Sequence, residues 1–147
     1  MNLDVSSDAD SAIERLCELI AGAAPHSLVL TGGTTAGAAY EPDIALVNYY
    51  DEKARMGLHQ DRDERSRDPV VSLSLGDTCV FRFGNTEHRN RPWTDLELRS
   101  GDLFVFGGPS RLAYHGVTRT TAGTGDPATG LSSGRLNITL RVSGLDT

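Results

Sequence analysis

The chain has 147 residues, the length of one ordinary domain, and 38% of them are hydrophobic, which is enough for a core. Its formal net charge of −6 argues against a protein that binds nucleic acid through general positive charge, because phosphate attraction requires local cations. No apolar run approaches the roughly 20 residues of a membrane-spanning helix, so we expect no membrane segment.

The first predicted element is an amphipathic helix over residues 10–22. Its apolar side chains recur at the spacing of one helix face: Ile13, Leu16, Cys17 and Ile20. Ser11 and Glu14 have the spacing of a capping box, and Gly22 is a stop signal. A flexible, glycine-rich connector is expected over residues 31–40.

Short β-rich runs separated by turn residues fill the rest of the chain. They cover residues 43–50, 70–75, 78–83, 102–106 and 136–142, and a long polar loop at 121–134 precedes the last run. No second helical pattern lies between them, so a sandwich or barrel is favoured over a parallel α/β sheet. We predict a mainly β (α+β) fold, in which the N-terminal helix leans on a jelly-roll double sheet, as one domain over residues 1–147.

The stretch "LHQDRDE" at residues 58–64 carries a candidate metal site. If it enters or leaves a strand, His59, Asp61 and Asp63 point to one face. Imidazole and carboxylate at this spacing can hold a metal, and a third ligand could come from His26, His88 or His115. Two histidines and one carboxylate are the ligand set of non-haem Fe(II) oxygenases. A charged loop with unrelated histidines is the alternative.

The last β-rich run, "GRLNITLRV", alternates polar and apolar residues. Its polar side chains share one face: Arg135, Asn137, Thr139 and Arg141. An amphipathic surface strand would show the same pattern. If the polar face instead lies inside the double sheet, the guanidinium groups require an anion, and a carboxylate suits them best. Asn48 and Tyr50 in "VNYY" could hydrogen-bond the same ligand, or be polar residues of an ordinary strand.

The order "NYY…LHQDRDE…PVVSLSLG…FRFG…GDLFVFGGPSRLAYHG…RLNITLRV" resembles the AlkB family of Fe(II)- and 2-oxoglutarate-dependent dioxygenases. The resemblance covers a catalytic core of about residues 41–143 and implies a double-stranded β-helix fold. It implies that His59, Asp61 and His115 hold Fe(II). It also implies that Arg141 pairs with the distal carboxylate of 2-oxoglutarate. The rest of the co-substrate site would be formed by Asn48, Tyr50, Arg135 and Asn137.

The activity that the resemblance implies is oxidative demethylation of alkylated bases in DNA or RNA, with O2 as the second co-substrate. The products would be succinate, CO2, formaldehyde and the repaired base. Asp63 matches a carboxylate that meets the target base, and Met56 would lie near the base pocket. In the DNA-repair members a basic residue follows the "FRFG" strand, and here His88 or Arg89 could take that place. A single-stranded substrate is favoured because a base in a duplex must first be flipped.

The sequence departs from the DNA-repair members before the core. Their N-terminal segment supplies a lid with an aromatic residue that stacks on the base, whereas here Tyr40 is the first aromatic and stands just ahead of the core. We therefore expect a shortened lid and weaker substrate binding, since stacking contributes about 1–3 kcal/mol per base. An oxygenase of a small molecule or protein side chain, and a non-catalytic core, are the alternatives.

The two cysteines, Cys17 and Cys79, stand in apolar surroundings without metal-ligand spacing. Such cysteines are more often buried thiols than a disulfide. Reduced thiols fit a reducing compartment, so we expect a cytoplasmic protein, and we expect it to act as a monomer.

Overall fold

The computed structural model describes residues 28–31 and 40–145 of the chain. The predicted helix at 10–22, most of the predicted connector, the shortened lid, Cys17 and His26 therefore lie outside the described residues. Nine strands are present in this part of the chain: β1 Leu28–Thr31, β2 Ile44–Tyr50, β3 Met56–His59, β4 Val70–Gly76, β5 Thr78–Gly84, β6 Trp93–Leu98, β7 Leu103–Phe106, β8 His115–Thr121 and β9 Arg135–Arg141. Two short 3-10 helices, at Gly108–Ser110 and Pro127–Thr129, accompany them.

The strands form two sheets, with the orders β1-β7-β4-β9-β2 and β3-β8-β5-β6. Only β1 and β7 pair in parallel among the described strands, and every other pairing is antiparallel. This mainly β, antiparallel arrangement confirms the predicted class and agrees with a jelly roll. No helix in the described part of the chain is long and apolar enough to cross a membrane.

One hydrophobic core lies between the two sheets, and both supply its side chains. The buried members are Tyr50, Val70, Cys79, Phe81, Leu98, Phe104, Phe106 and Val117. Burial raises the pKa of the Cys79 thiol, which is fully buried and unpaired, as predicted. The phenylalanine rings at the centre contact one another at centroid distances of 4.9 to 6.3 Å. Close packing of this kind gives the sheets a fixed separation, so polar residues on the same inner faces are held in fixed positions.

The buried carboxylate of Asp77, in the turn between β4 and β5, fixes the loop that leads into β9. It accepts hydrogen bonds from the backbone N–H groups of Thr124, Gly125 and Gly134, each at 2.9 Å. The Asp77 N–H donates in return to the Gly134 carbonyl at 2.9 Å. The start of β9 is thereby tied to the end of β4.

Asp77→Ala is expected to lower the free energy of unfolding by at least about 2 kcal/mol, because several partly buried N–H groups lose a charged acceptor. Chemical denaturation of the metal-free chain measures this. Asp126→Ala, which removes an exposed side-chain acceptor from the same loop, serves as the control and should cost about 1 kcal/mol or less. Equal losses in the two variants would contradict the special role of Asp77.

Candidate metal and co-substrate site

Three potential metal ligands meet where β3 ends and β8 begins. His59 and His115 are directly opposite each other in the pairing of β3 with β8, and Asp61 follows His59 by two residues. One donor atom from each of the three lies within 4.8 Å of the others. The Nε2 atoms of His59 and His115 lie 3.5 and 3.6 Å from the Asp61 carboxylate oxygens. A single ion can therefore contact all three residues.

The orientation of both imidazole rings is set by backbone carbonyls. The Nδ1 atom of His59 lies 2.9 Å from the Gly57 carbonyl oxygen, and that of His115 lies 2.9 Å from the Ala113 carbonyl oxygen. In the tautomer that donates from Nδ1, a neutral imidazole has its lone pair on Nε2, which is the atom that faces Asp61 in both residues. This is the arrangement that a metal ligand requires.

The approach of β3 to β8 depends on Gly116. A Cβ atom at this position would lie 2.5 Å from the Met56 carbonyl oxygen, which is closer than side chains tolerate. The imidazole ring of His115 also packs against the core, at centroid distances of 5.0 Å to Phe106 and 5.8 Å to Phe81. The hydrogen bond to the Ala113 carbonyl and this aromatic packing together hold the ring in place.

The loop that carries Asp61 is held by Arg111, which is 3% exposed. Its guanidinium donates from Nη1 to the Asp61 carbonyl at 2.9 Å and from Nε to the Asp68 carbonyl at 2.8 Å. Its Nη2 lies 3.3 Å from the Glu64 carboxylate. Arg111 and Glu64 were not predicted as site residues from the sequence. Their charges alone could not have identified them, because many exposed residues of this chain carry the same charges.

The electrostatics of the three ligands follow from burial and from neighbouring charge. The hydrogen bond to Asp61 raises the pKa of His59, although burial opposes the shift. Burial lowers the pKa of His115, against the attraction of Asp61. Burial works to raise the pKa of Asp61, but the hydrogen bond from His59 and the charges of His115 and Arg141 outweigh it, and the pKa is lowered. Asp61 is thus ionised and His115 neutral near neutral pH, as metal ligation requires.

The polar face of β9 lies inside the fold and forms a wall beside the three ligands. Arg135, Asn137 and Thr139 are all buried. Asn137 donates to the Ser72 hydroxyl at 2.7 Å and accepts from the Thr139 hydroxyl at 2.9 Å. The interior between the sheets therefore contains buried polar side chains from β9 as well as the aromatic core.

Arg135 is the most deeply buried charge of the wall, at 1% exposure. Its Nη2 donates to the Ser74 hydroxyl at 2.9 Å, and its guanidinium lies 5.2 Å from the centre of the Tyr50 ring. Its Nε and Nη1 atoms have no hydrogen-bond partner among the described residues. A buried guanidinium without a counter-ion is costly, so the position fits a residue that receives an anionic ligand.

Arg141 occupies the other end of the wall, against the metal ligands. Its Nη2 lies 2.9 Å from Asp61 Oδ1, and its Nη1 donates to Glu64 at 2.7 Å. Burial opposes ionisation of Glu64, but this hydrogen bond outweighs it and lowers the Glu64 pKa. Arg141 therefore has carboxylate partners already, whereas Arg135 has none among the described residues.

Comparison with known proteins identifies the family to which this donor set belongs. The sequence profile of the 2OG-Fe(II) oxygenase superfamily matches residues 5–141, which is most of the chain. The chain belongs to the 2OG-Fe(II) oxygenase superfamily. The metal and co-substrates of this superfamily are Fe(II), 2-oxoglutarate and O2, in agreement with the cofactors predicted from the sequence.

Individual relatives confirm the resemblance to the AlkB family. The chain is 54% identical over 101 residues to an alpha-ketoglutarate-dependent dioxygenase AlkB homolog of Caulobacter vibrioides, covering 68% of this chain and 44% of the relative. It is 43% identical over 109 residues to the DNA N(6)-methyladenine demethylase ALKBH1C of Arabidopsis thaliana, and the match covers 68% of this chain and 24% of that relative. The solved structure of OsALKBH1 is similar with a TM-score of 0.64 and 43% identity, covering 69% of this chain and 50% of that one. The chain spans half or less of the length of each.

The residues of this superfamily member fit the metal and the co-substrate on structural grounds. Two imidazoles with free Nε2 atoms and an ionised carboxylate are a suitable donor set for Fe(II). The unpartnered nitrogens of Arg135 can receive a carboxylate, and Tyr50 keeps its phenol proton because burial raises its pKa. The pocket that joins these groups has a volume of about 50 Å³, room for a few water molecules.

The predicted co-substrate residues line one pocket with the predicted metal ligands, but the predicted substrate residues are dispersed. Asn48, Tyr50, Arg135, Asn137 and Arg141 all line the pocket that contains the three metal ligands, as does Met56. Asp63 is exposed and lies outside that lining. Arg89 is also exposed, with its guanidinium 5.9 Å from the centre of the Tyr114 ring. His88 contacts Asn85 and takes no part in the metal cluster.

Proposed function

We propose that this chain is an Fe(II)- and 2-oxoglutarate-dependent dioxygenase that demethylates alkylated bases in DNA or RNA. The observation that carries the proposal is the joining, in one pocket, of the three metal ligands with Arg135, a buried cation whose free nitrogens call for an anion. The relatives, which include an AlkB homolog and a DNA N(6)-methyladenine demethylase, support nucleic acid as the substrate class.

The contacts of the two arginines favour a specific orientation for 2-oxoglutarate. Arg135 would hold the distal carboxylate together with the Tyr50 hydroxyl, because among the described residues its Nε and Nη1 are unpartnered and it has no carboxylate partner, whereas Arg141 has only Nε unpartnered and two carboxylates against it. Arg141 lies against Asp61, so it would face the carboxylate nearest the metal. This assignment is the reverse of the one that the family resemblance implied for Arg141, and Asn48 and Asn137 would lie between the two ends.

The residues of the pocket position and shield the reaction. When bound, Fe(II) with 2-oxoglutarate and O2 supplies the oxidation of an N-methyl group, which leaves as formaldehyde while the co-substrate becomes succinate and CO2. His59 and His115 would hold the metal through Nε2, and the charge of Arg141 helps to keep Asp61 ionised. The aromatic packing around His115 keeps water from that side of the site.

Met56, Asp63 and Arg89 are proposed to contact the substrate. Met56 lines the pocket beside the triad and is placed to touch a base. Asp63 is exposed two residues beyond Asp61, where it can accept a hydrogen bond from an exocyclic amine. Arg89 lies in the β5–β6 loop, where it can pair with a phosphate. A single strand is the favoured substrate, because its bases enter a pocket without being flipped from a duplex.

Asp63→Ala is expected to reduce base repair more than it reduces 2-oxoglutarate consumption without nucleic acid. A lost hydrogen bond to a charged group costs about 1.5–3 kcal/mol, or roughly 10- to 100-fold in kcat/KM for the oligonucleotide. Formaldehyde and succinate are measured in parallel. Asp126→Ala, which removes an exposed carboxylate from another loop, is the matched control. Equal loss of both activities in Asp63→Ala would assign the residue a structural role.

The decisive experiment adds Fe(II) and 2-oxoglutarate under anaerobic conditions to the protein and a single-stranded oligonucleotide carrying 1-methyladenine, and then admits oxygen. Succinate together with loss of one methylene unit from the oligonucleotide mass is the expected result. N(6)-methyladenine is tested next, following the name of the Arabidopsis relative. Succinate with every oligonucleotide unchanged would favour the oxygenase of a small molecule or protein side chain. Absence of succinate would contradict the enzyme.

The wider biological setting is also a proposal. Burial of the reduced Cys79 thiol is consistent with a reducing compartment, so we propose a cytoplasmic location. We propose that the chain acts as a monomer, which size-exclusion chromatography with light scattering would test.

A further inference from the structure

A second concavity, about 740 Å³ in volume, has no lining residue in common with the candidate active site, but some of its residues lie next to those of the site along the chain. It lies between the β2–β3 turn and the end of β8, and its charged lining residues are Glu52, Lys53, Arg55 and Arg119. We call it the basic groove. Arg55 directly precedes Met56, and Arg119 follows Val117 by two residues, while Met56 and Val117 both line the active-site pocket. Two residues of strand span about 7 Å, so the groove and the pocket are neighbours.

The cations of the groove lack carboxylate partners in the described part of the chain. Lys53, Arg55 and Arg119 take part in none of its ion pairs, whereas Arg82 is paired with Asp95. Arg55 donates to the backbone carbonyls of Glu52 and Ala54, which are neutral and leave its charge uncompensated. The groove lining holds three cations and one carboxylate, and the Asp51 carboxylate of the same turn adds a second, so the local charge stays positive in a chain whose net charge is −6. The groove therefore attracts anions.

The groove is also built in advance of any ligand. The Asp51 carboxylate accepts hydrogen bonds from the backbone N–H groups of Lys53 and Ala54, at 2.8 and 2.7 Å, and this fixes the turn that presents Lys53 and Arg55. On the opposite wall, the buried Thr120 hydroxyl has no partner among the described residues. A turn with a fixed backbone that presents exposed cations is suited to binding phosphate oxygens.

We infer that the basic groove binds the phosphodiester backbone of the same single strand whose alkylated base enters the active-site pocket. The inference rests on the proposed function, since it requires a nucleic-acid substrate. A strand is favoured over a free anion because the three cations are spread over two elements that line the groove, the β2–β3 turn and the end of β8. Contacts of this kind fix the position of a nucleic acid without reading its sequence, so the groove holds the strand while the pocket receives the base.

The test is binding of a fluorescein-labelled, methylated single-stranded oligonucleotide, followed by anisotropy over a range of salt concentrations. Arg55→Ala and Arg119→Ala are each expected to weaken binding roughly fivefold at 0.1 M salt and to reduce the salt slope by about 0.7, the contribution of one phosphate contact. Arg55→Lys keeps the charge and should retain most of the affinity. Arg99→Ala is the matched control, because Arg99 is exposed, contacts Glu97 and lies outside the groove.

The outcomes separate this inference from the proposed function. Two results would contradict the inference. One is that the groove variants change affinity and salt slope as little as Arg99→Ala does. The other is that the unmodified protein does not bind the oligonucleotide. Thermal unfolding midpoints equal to that of the unmodified protein exclude misfolding as a cause of lost binding. Salt-dependent binding through the groove without base repair by the unmodified protein would uphold the groove and contradict the proposed demethylase.

Discussion

Arg135→Met is expected to weaken 2-oxoglutarate binding by about 2–5 kcal/mol, the usual loss when one partner of a buried charge pair is removed. The Arg135 nitrogens Nε and Nη1 are buried and have no partner among the described residues, so their hydrogen bonds become available when an anion arrives. Methionine keeps most of the apolar volume and removes the charge. Calorimetric titration of the Mn(II)-loaded protein with 2-oxoglutarate measures the change without turnover.

The same substitution is expected to leave the ligand-free chain at least as stable as before. Replacing a buried, uncompensated cation by an apolar residue is often neutral or stabilising. Chemical denaturation of the metal-free protein should therefore show no loss, in contrast to a residue whose role is only structural. Ser74→Ala, which removes the hydroxyl that Arg135 contacts, is the control and should weaken binding by about 1 kcal/mol or less.

Arg141→Met distinguishes the role of Arg141 from that of Arg135 in binding the co-substrate. It would leave the carboxylates of Asp61 and Glu64 without their closest cation, so the metal-free chain should lose stability, and metal affinity should fall with it. If Arg135→Met instead keeps full co-substrate affinity while Arg141→Met alone loses it, the distal carboxylate binds at Arg141.

All five predicted β-rich runs are strands, with small changes at their ends: β2, β4, β5, β7 and β9. Runs 70–75, 78–83 and 102–106 are apolar and supply much of the core, whereas β2 is largely exposed. Four described strands were missed: β1 and β3 have only four residues each, β6 is an edge strand that carries charge, and β8, "HGVTRTT", has one large apolar residue. These segments are extended because neighbouring strands pair with them, and local propensity does not record that.

The candidate site was predictable where its residues are close in sequence. The alternation of β9 placed its polar side chains on one face, and burial agrees with that face lying inside the fold. The network around the metal ligands was not predictable, because Glu64 and Arg141 are 77 positions apart and Arg111 contacts Asp61 from 50 positions away. Such contacts depend on which strands become neighbours. The alternation after β3 also stops at Asp61, so Asp63 is exposed.

The second large effect is expected for His115→Ala, which should abolish turnover and lower the affinity for divalent metal by more than about 100-fold. Loss of a residue that only orients a metal ligand already costs about 10- to 100-fold, and His115 is a candidate ligand itself. Its ring also packs against Phe106, so some stability of the metal-free chain will be lost. A readout that separates these two effects is therefore required.

Metal-induced stabilisation provides that readout. A ligand present at 100 times its dissociation constant stabilises the folded chain by about 2.7 kcal/mol, and this increment should disappear in His115→Ala whatever the starting stability of the variant. His88→Ala is the matched control, because His88 is exposed and lies outside the metal cluster. It should keep the full increment. If Mn(II) stabilises His115→Ala as strongly as it stabilises His88→Ala, the metal does not bind at His59, Asp61 and His115. That result would contradict the metal site on which the proposed dioxygenase activity depends.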